Sequence, residues 1–155
     1  MPIDGDILKV FVQGKPVPQG SLNPMPFKRK NGKLGVNVFQ KPELVKWRDK
    51  IADEVKRVKE DMFYPKETPV FITLKFRLFK PKTSKREYPC CKGIDLDKAC
   101  RAVLDALSGV IYDDDCQVCS IIANKCYVKS EDEQGVIIYI TGFKDKERER
   151  IVEED

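Results

Sequence analysis

The chain has 155 residues, of which 41% are hydrophobic and 35% charged, so it is long enough for one folded domain with a core of its own. No apolar run approaches the roughly 20 residues of a membrane span, and we expect no membrane partner. The chain has no histidine, which excludes a histidine general base, a Ser-His-Asp triad and a Cys2His2 zinc site.

The net charge of +4 is unevenly distributed along the chain. Residues 1–92 carry 21 basic and 10 acidic side chains, whereas residues 93–155 carry 8 and 15. A basic first part favours a polyanionic partner such as nucleic acid. A charge-rich solvated surface is the alternative explanation.

The first forty residues carry strand and turn signals. The β-branched run 7–13 predicts a first strand. Four prolines in the segment 14–26 exclude a helix there. The Asn31-Gly32 pair predicts a turn within a basic loop over 27–33, and extended structure is expected again over 36–39.

Periodicity predicts most of the remaining elements. Pro42 suits the first position of a helix of about 18 residues, and strict alternation over 70–79 predicts a strand. A second helix is expected over 96–107, followed by strands over 117–128 and 136–141. The predicted apolar stripe of the first helix consists of Leu44, Trp47, Ile51, Val55 and Val58, and that of the second of Leu96, Cys100, Val103, Leu104 and Leu107.

These elements predict an α/β (α+β) fold, a single domain with a mixed β-sheet packed against two main helices. We assign the domain to residues 1–143 and interpret residues 144–155 as a charged C-terminal tail.

The six cysteines admit two interpretations. The first residues resemble no secretory signal, so we expect a cytoplasmic protein with free thiols acting as small apolar residues. The alternative is a zinc site that combines the Cys116 and Cys119 pair with Cys90 and Cys91, although adjacent ligands are poor spacing for such a site.

Two groups of aspartates flank the second predicted helix. Asp95 and Asp97 lie at its start, and on an extended segment this spacing places both carboxylates on one side. The group 113–115 follows its end. The helix is about 18 Å long, and the segment 109–112 permits the chain to return along it, so the two groups can meet. Solvated loop aspartates are the alternative.

Carboxylate ligands of this kind suit Mg²⁺ or Mn²⁺, which bridge phosphate oxygens and activate water for phosphodiester hydrolysis. Arg101 and Asp105 follow Asp97 at helical spacing, so Arg101 could contact a phosphate or form a plain helical ion pair. Lys125 is a candidate for stabilising transition-state charge, the alternative being an outward-facing strand lysine.

The sequence DLDKACRAVLDALSGVIYDDDCQV over 95–118, with Lys125 beyond it, resembles the signature of RusA-family Holliday junction resolvases. That pattern reads roughly D-x-D-N, K-x-x-x-D-A-L, a small turn, D-D-x-Q-V and a later Lys. The segment GKPVPQGS over 14–21 also resembles phage and prophage members of the family.

The resemblance implies a small homodimeric, Mg²⁺-dependent endonuclease, bacterial or phage-encoded, that cuts four-way DNA junctions. The implied catalytic aspartates are Asp95, Asp97 and Asp115, with Asp114 an adjacent metal-binding contributor. The family's two lysines fall at Arg101 and Lys125.

Two departures from the pattern concern charge. The family Asn is Lys98 here, and the helix Lys is Arg101, which keeps the charge but not the compact ammonium. A different Asp-x-Asp phosphotransferase should carry a Gly-rich phosphate loop; the sequence has none, so we expect no nucleotide cofactor.

Two basic segments are the predicted contacts to branched DNA, because they could clamp phosphates by counterion release. They contain Lys28, Arg29, Lys30 and Lys33, and Lys80, Lys82, Lys85 and Arg86. Phe27 and Tyr88 beside them are candidates for insertion into an opened junction or for loop anchors.

The sequence thus predicts a metal-dependent endodeoxyribonuclease that resolves four-way junctions. A symmetric substrate that is cut twice favours a twofold homodimer with one site per strand. The alternative is a non-catalytic, structure-selective nucleic-acid-binding protein whose acidic cluster is structural or binds Ca²⁺.

Overall fold

The computed structural model describes residues 7–20, 23–91 and 93–143. Within them lie a four-stranded mixed sheet, a two-stranded hairpin and two α-helices, which confirms the predicted fold class. In chain order the elements are β1 (Leu8–Gln13), β2 (Asn23–Lys28), β3 (Leu34–Phe39), α1 (Pro42–Lys59), β4 (Val70–Phe79), α2 (Leu96–Leu107), β5 (Val118–Val128) and β6 (Gly135–Gly142). The predicted tail 144–155 lies outside the described residues.

The main sheet has the strand order β1-β6-β4-β5. Strand β6 runs antiparallel to both β1 and β4, whereas β4 and β5 are parallel. A parallel pair needs a crossover connection, and α2 lies within it. Helix α2 therefore lies in the connection between these two strands, and it packs against β5 and α1.

Helix α1 begins at Pro42, as predicted, and buries four of the five residues of its predicted stripe, while Val58 is partly buried. The stripe packs into the same core as the inward residues of β4, such as Leu74 and Phe76. Helix α2 buries mainly small residues, including Ala99, Ala102 and Ala106. Leu96 and Leu104, which we expected in its buried stripe, are only partly buried, because the alanine face is the one turned to the core.

The segment 23–28 differs from the sequence prediction. It forms a strand, β2, paired with β3, so the basic loop predicted over 27–33 is wrong for Phe27 and Lys28, which belong to the strand. Pro24 and Pro26 are tolerated because a two-stranded hairpin is all edge, where the missing amide donor can face solvent. The predicted turn is confirmed, since Gly32 has a φ of 80° and its amide donates to the Arg29 carbonyl at 2.9 Å.

The sheet face opposite the helices is partly apolar and partly basic. Lys9 and Lys75 each lie 5.6 Å from the centre of the Tyr139 ring. A cavity of about 700 Å³ lies between residues that include Ile122 and Thr141. It is lined by Cys119, a candidate zinc ligand, but by none of the predicted catalytic or DNA-contacting residues. Neither described helix is long and apolar enough to cross a membrane.

Candidate active site

The start of α2 presents two exposed carboxylates. Asp95 is the last extended residue before the helix, with φ −67° and ψ 128°, and Asp97 lies in its first turn, where the helix dipole favours negative charge. The prediction that both stand on an extended segment is therefore wrong for Asp97, because the helix already begins at Leu96.

Lys98, one of the two departures from the family pattern, pairs with the first of these aspartates. Its Nζ lies 3.3 Å from Asp95 Oδ2, and the two side chains are 44% and 67% exposed. Exposed ion pairs of this kind contribute little free energy. The Asp95 carboxylate thus remains available to a stronger ligand.

Lys125 lies at the same end of the helix. In the parallel register it stands opposite Phe76, on the helix-facing side of the sheet, and its Nζ donates to the Ile94 carbonyl at 2.9 Å. The alternative of an outward-facing strand lysine is therefore wrong. The carbonyl that this ammonium binds belongs to the residue directly before Asp95.

Arg101 is exposed and forms no hydrogen bond or ion pair with another described residue. The plain helical ion pair to Asp97 or Asp105 is thus not formed. Its guanidinium stands on the solvent side of α2, one helical turn beyond Asp97, and is accessible to a phosphate.

The second acidic group forms an ordered turn just past α2. Asp114 Oδ1 accepts from the Cys116 amide at 3.1 Å and caps a one-turn 3-10 helix over 115–117. Asp113 Oδ2 accepts from the Lys66 amide at 3.0 Å. These aspartates are exposed, but their backbone is held.

Gln117 is the residue that holds this turn, a role that the sequence did not predict. Its side chain is buried, and Oε1 accepts from the Asp113 and Asp114 amides at 2.9 and 3.0 Å. Its Nε2 donates to three carbonyls, those of Tyr64, Pro65 and Thr68. The Q of the D-D-x-Q-V pattern was the available signal.

The charges of the turn are coupled. The Cys116 amide, and then a hydrogen bond from Asp115, lower the pKa of Asp114. The hydrogen bond with Asp114, then burial and the charges of Asp114 and Asp105, raise the pKa of Asp115. The two carboxyls therefore titrate as a pair.

Asp105 links the helix to this turn, since its charge acts on Asp115. Asp97 lies eight residues earlier on the helix, which corresponds to about 12 Å along the axis. Asp115 is thus electrostatically coupled to the second half of α2, whereas Asp95 and Asp97 occupy its start.

The donor chemistry suits a hard divalent cation, because the carboxylates at both ends of α2 are exposed oxygen ligands. Among the described residues, however, no three His, Cys, Asp or Glu side chains lie close enough together to hold a metal ion. The side chains of Asp95, Asp97 and Asp115 are therefore not gathered into one ligand group in this structure. Mg²⁺ usually takes one or two carboxylates together with water and phosphate oxygens, a need that either end of α2 can meet.

The six cysteines carry free thiols. Cys90 and Cys91 are exposed neighbours with their Sγ atoms 3.9 Å apart. In the part of the chain that the structure describes, the cysteines form no zinc-binding group.

The predicted DNA contacts fall on two surface segments. The first lies at the tip of the β2–β3 hairpin and the second in the loop after β4. Lys28, Arg29, Lys30, Lys33, Lys82, Lys85 and Arg86 are exposed, and Lys80 is partly buried. Lys80 Nζ lies 5.9 Å from the centre of the Tyr127 ring. Phe27 and Tyr88 are also exposed, the latter at 63%.

An acidic helix start with a lysine beside it, two basic surface segments and a mixed sheet are features of a nucleic-acid-processing protein. Residues 14–141 match the family model for the endodeoxyribonuclease RusA. Because the match spans most of the chain, this protein belongs to the RusA endodeoxyribonuclease family, and membership implies endodeoxyribonuclease activity on Holliday junctions. No curated protein matches the chain.

Proposed function

We propose that this chain resolves four-way DNA junctions by divalent-metal-dependent hydrolysis, with Mg²⁺ or Mn²⁺ as the ion. The observation that carries the proposal is the pair of exposed carboxylates, Asp95 and Asp97, at the start of α2. The Lys125 ammonium lies beside them, because it binds the carbonyl of Ile94, the residue directly before Asp95. Anionic ligands and a cation placed together suit a phosphodiester, whose charge grows as water attacks.

The metal ligands in this proposal form two separate groups, Asp95 and Asp97 at the start of α2 and Asp114 and Asp115 past its end. When bound, the cation supplies charge neutralisation and a more acidic water. The protein's own part is to hold the ligands: Gln117 fixes the turn of Asp114 and Asp115, and the backbone of α2 fixes Asp97. In the reaction one ester P–O bond breaks as a new P–O bond forms to the water oxygen; the attacking water loses a proton and the leaving ester oxygen takes one up.

Two cations are available to the scissile phosphate. The Lys125 side chain is already ordered by its hydrogen bond to the Ile94 carbonyl. It therefore loses little conformational freedom when its ammonium binds a phosphate. Arg101 is unpaired among the described residues, and its planar fork suits two phosphate oxygens. We assign both to stabilisation of the transition-state charge.

The basic hairpin tip and the loop after β4 bind the DNA backbone in this proposal. Their side chains are exposed and gain affinity by releasing counterions from phosphates. Because the substrate has two equivalent strands to cut, we propose a homodimer that carries one site for each strand.

The test is cleavage of a synthetic four-way junction in Mg²⁺ by the wild type and by Asp97→Asn. Loss of one ligand charge with the shape retained should lower kcat/KM roughly 100-fold or more. The matched control is Asp53→Asn, an exposed aspartate on α1, which should cut like the wild type. Equal cleavage by Asp97→Asn and the wild type would remove Asp97 from the site.

The same assay separates the alternative function. A wild type that binds the junction but cuts it in neither Mg²⁺ nor Mn²⁺ would be a non-catalytic junction-binding protein.

A further inference from the structure

Arg48, on α1, contacts three other side chains with one guanidinium group. Its Nη1 donates to Gln19 Oε1 at 3.3 Å and lies 3.9 Å from Asp105 Oδ2, while its Nη2 donates to Gln40 Oε1. Gln19 Nε2 also donates to Asp105 Oδ2. Only 21% of the Arg48 side chain is exposed, so these contacts are partly shielded from water.

The partners of Arg48 lie at the two ends of the hairpin and on helix α2. Gln19 precedes β2 and Gln40 directly follows β3, so they mark the two ends of the hairpin. Asp105 belongs to α2, the helix that carries Asp97. A backbone hydrogen bond from the Gln19 amide to the Lys98 carbonyl, 3.0 Å long, joins the start of the hairpin to the same helix.

The hairpin depends on such contacts for its orientation. Strands β2 and β3 pair with each other and belong to no larger sheet among the described residues. Its direction relative to the rest of the molecule is therefore set at its base, where the four side chains of Gln19, Gln40, Arg48 and Asp105 meet. We call this group the hairpin clamp.

We propose that Arg48 is a positioning residue that sets the basic hairpin at a defined orientation to the acid-bearing helix α2. This inference rests on the proposed function, since the hairpin would bind the DNA that the α2 carboxylates help to cut. Guanidinium is suited to the task because its planar fork points several N–H donors in fixed directions, whereas the three donors of a lysine ammonium share one nitrogen at the end of a flexible stem.

The proposal separates binding from chemistry. A hairpin that swings freely pays an ordering cost when it grips DNA, so the KM for the junction rises. Asp95, Asp97 and Lys125 make no contact with Arg48 in the described structure, so kcat changes little. A merely structural role for Arg48 would instead lower the amount of folded enzyme and so reduce the apparent kcat at unchanged KM.

The experiment compares the wild type with Arg48→Gln in steady-state junction cleavage, with the junction Kd measured by fluorescence anisotropy in EDTA. The matched control is Arg57→Gln on the same helix, whose guanidinium pairs only with the neighbouring Glu54 in the described structure. We expect KM and Kd to rise about tenfold for Arg48→Gln, kcat to stay within about twofold, and Arg57→Gln to match the wild type. Arg48→Lys should resemble Arg48→Gln, because the charge without the fork does not span the clamp.

Wild-type values of KM and Kd in Arg48→Gln would overturn the proposal, as would a fall in kcat alone. If Arg48→Gln does not fold, Gln40→Ala tests the proposal instead. Gln40 is exposed, and its truncation removes only the contact that Arg48 makes at the end of the hairpin. A rise of about threefold in Kd is then expected, and an unchanged Kd counts against the clamp. If the wild type itself fails to cut, the proposed function fails, while the Kd comparison in EDTA still tests Arg48.

Discussion

The single residue Tyr112 connects the end of α2 to the acidic turn. Its ring is fully buried, and its hydroxyl donates to the Leu104 carbonyl at 2.8 Å. Burial raises the pKa of this phenol well above its usual value of 10.0. The neutral hydroxyl is therefore part of the folded state.

This pKa shift predicts the behaviour of the protein at high pH. The folded-state pKa of Tyr112 is above its unfolded value, so its contribution to stability is complete below about pH 10 and is lost as the pH rises further. Tyr112→Phe lacks the titrating proton, so its unfolding free energy should decline less steeply above pH 10. At neutral pH it should be lower by about 1 kcal/mol, the usual net value of a hydrogen bond.

Urea unfolding of both proteins between pH 7 and pH 11 measures the difference. Tyr88→Phe is the control, because Tyr88 is 63% exposed and should not change the slope. Parallel decline of the wild type and Tyr112→Phe above pH 10 would contradict the burial argument.

The pairing of strand β1 with strand β6 depends on one glycine. Gly135 begins β6 opposite Gln13 and has a φ of 156°. A Cβ atom there would lie 2.1 Å from the Val12 carbonyl oxygen, a backbone atom that cannot move without opening the pair.

We therefore expect Gly135→Ala to lower the free energy of unfolding by about 2 kcal/mol or more. Gly20→Ala is the matched control, since a Cβ at Gly20 meets no atom within 4 Å. Thermal unfolding of the two variants beside the wild type is the measurement. Equal melting temperatures for the two variants would show that the strand pair adapts to the added atom.

The oligomeric state of the whole molecule determines how the two DNA strands of a junction are cut. If the proposed homodimer carries one site for each strand, a dimer with one inactive subunit should nick one strand and leave the other intact. A monomer that cuts both strands in turn would behave differently.

Wild type mixed with an excess of Asp97→Asn should accordingly convert junctions to singly nicked products, which denaturing and native gels distinguish. Wild type mixed with Asp53→Asn should resolve junctions fully. Light scattering should give about twice the 17.8 kDa of the chain. Full resolution by the Asp97→Asn mixture, or the mass of one chain, would argue against the dimer.

Local pattern in the sequence was sufficient for the regular elements. The bounds of α1 and β4 follow from apolar spacing, because a helix or strand of that length must turn one side to the core. The spaced motif over 95–125 was likewise enough to indicate the family. For the 23–28 segment local pattern was not sufficient, since the prolines exclude a helix but give no signal for the pairing with β3 that makes the segment a strand.

Only the tertiary structure decided how the side chains of the candidate site are grouped. Lys125 meets the Ile94 carbonyl across 31 residues of chain, and Gln19 meets Asp105 across 86. The carboxylates at the two ends of α2 remain in separate groups. Such contacts depend on the order and direction of strands and on the helix between them, and no local spacing of residue types records that arrangement.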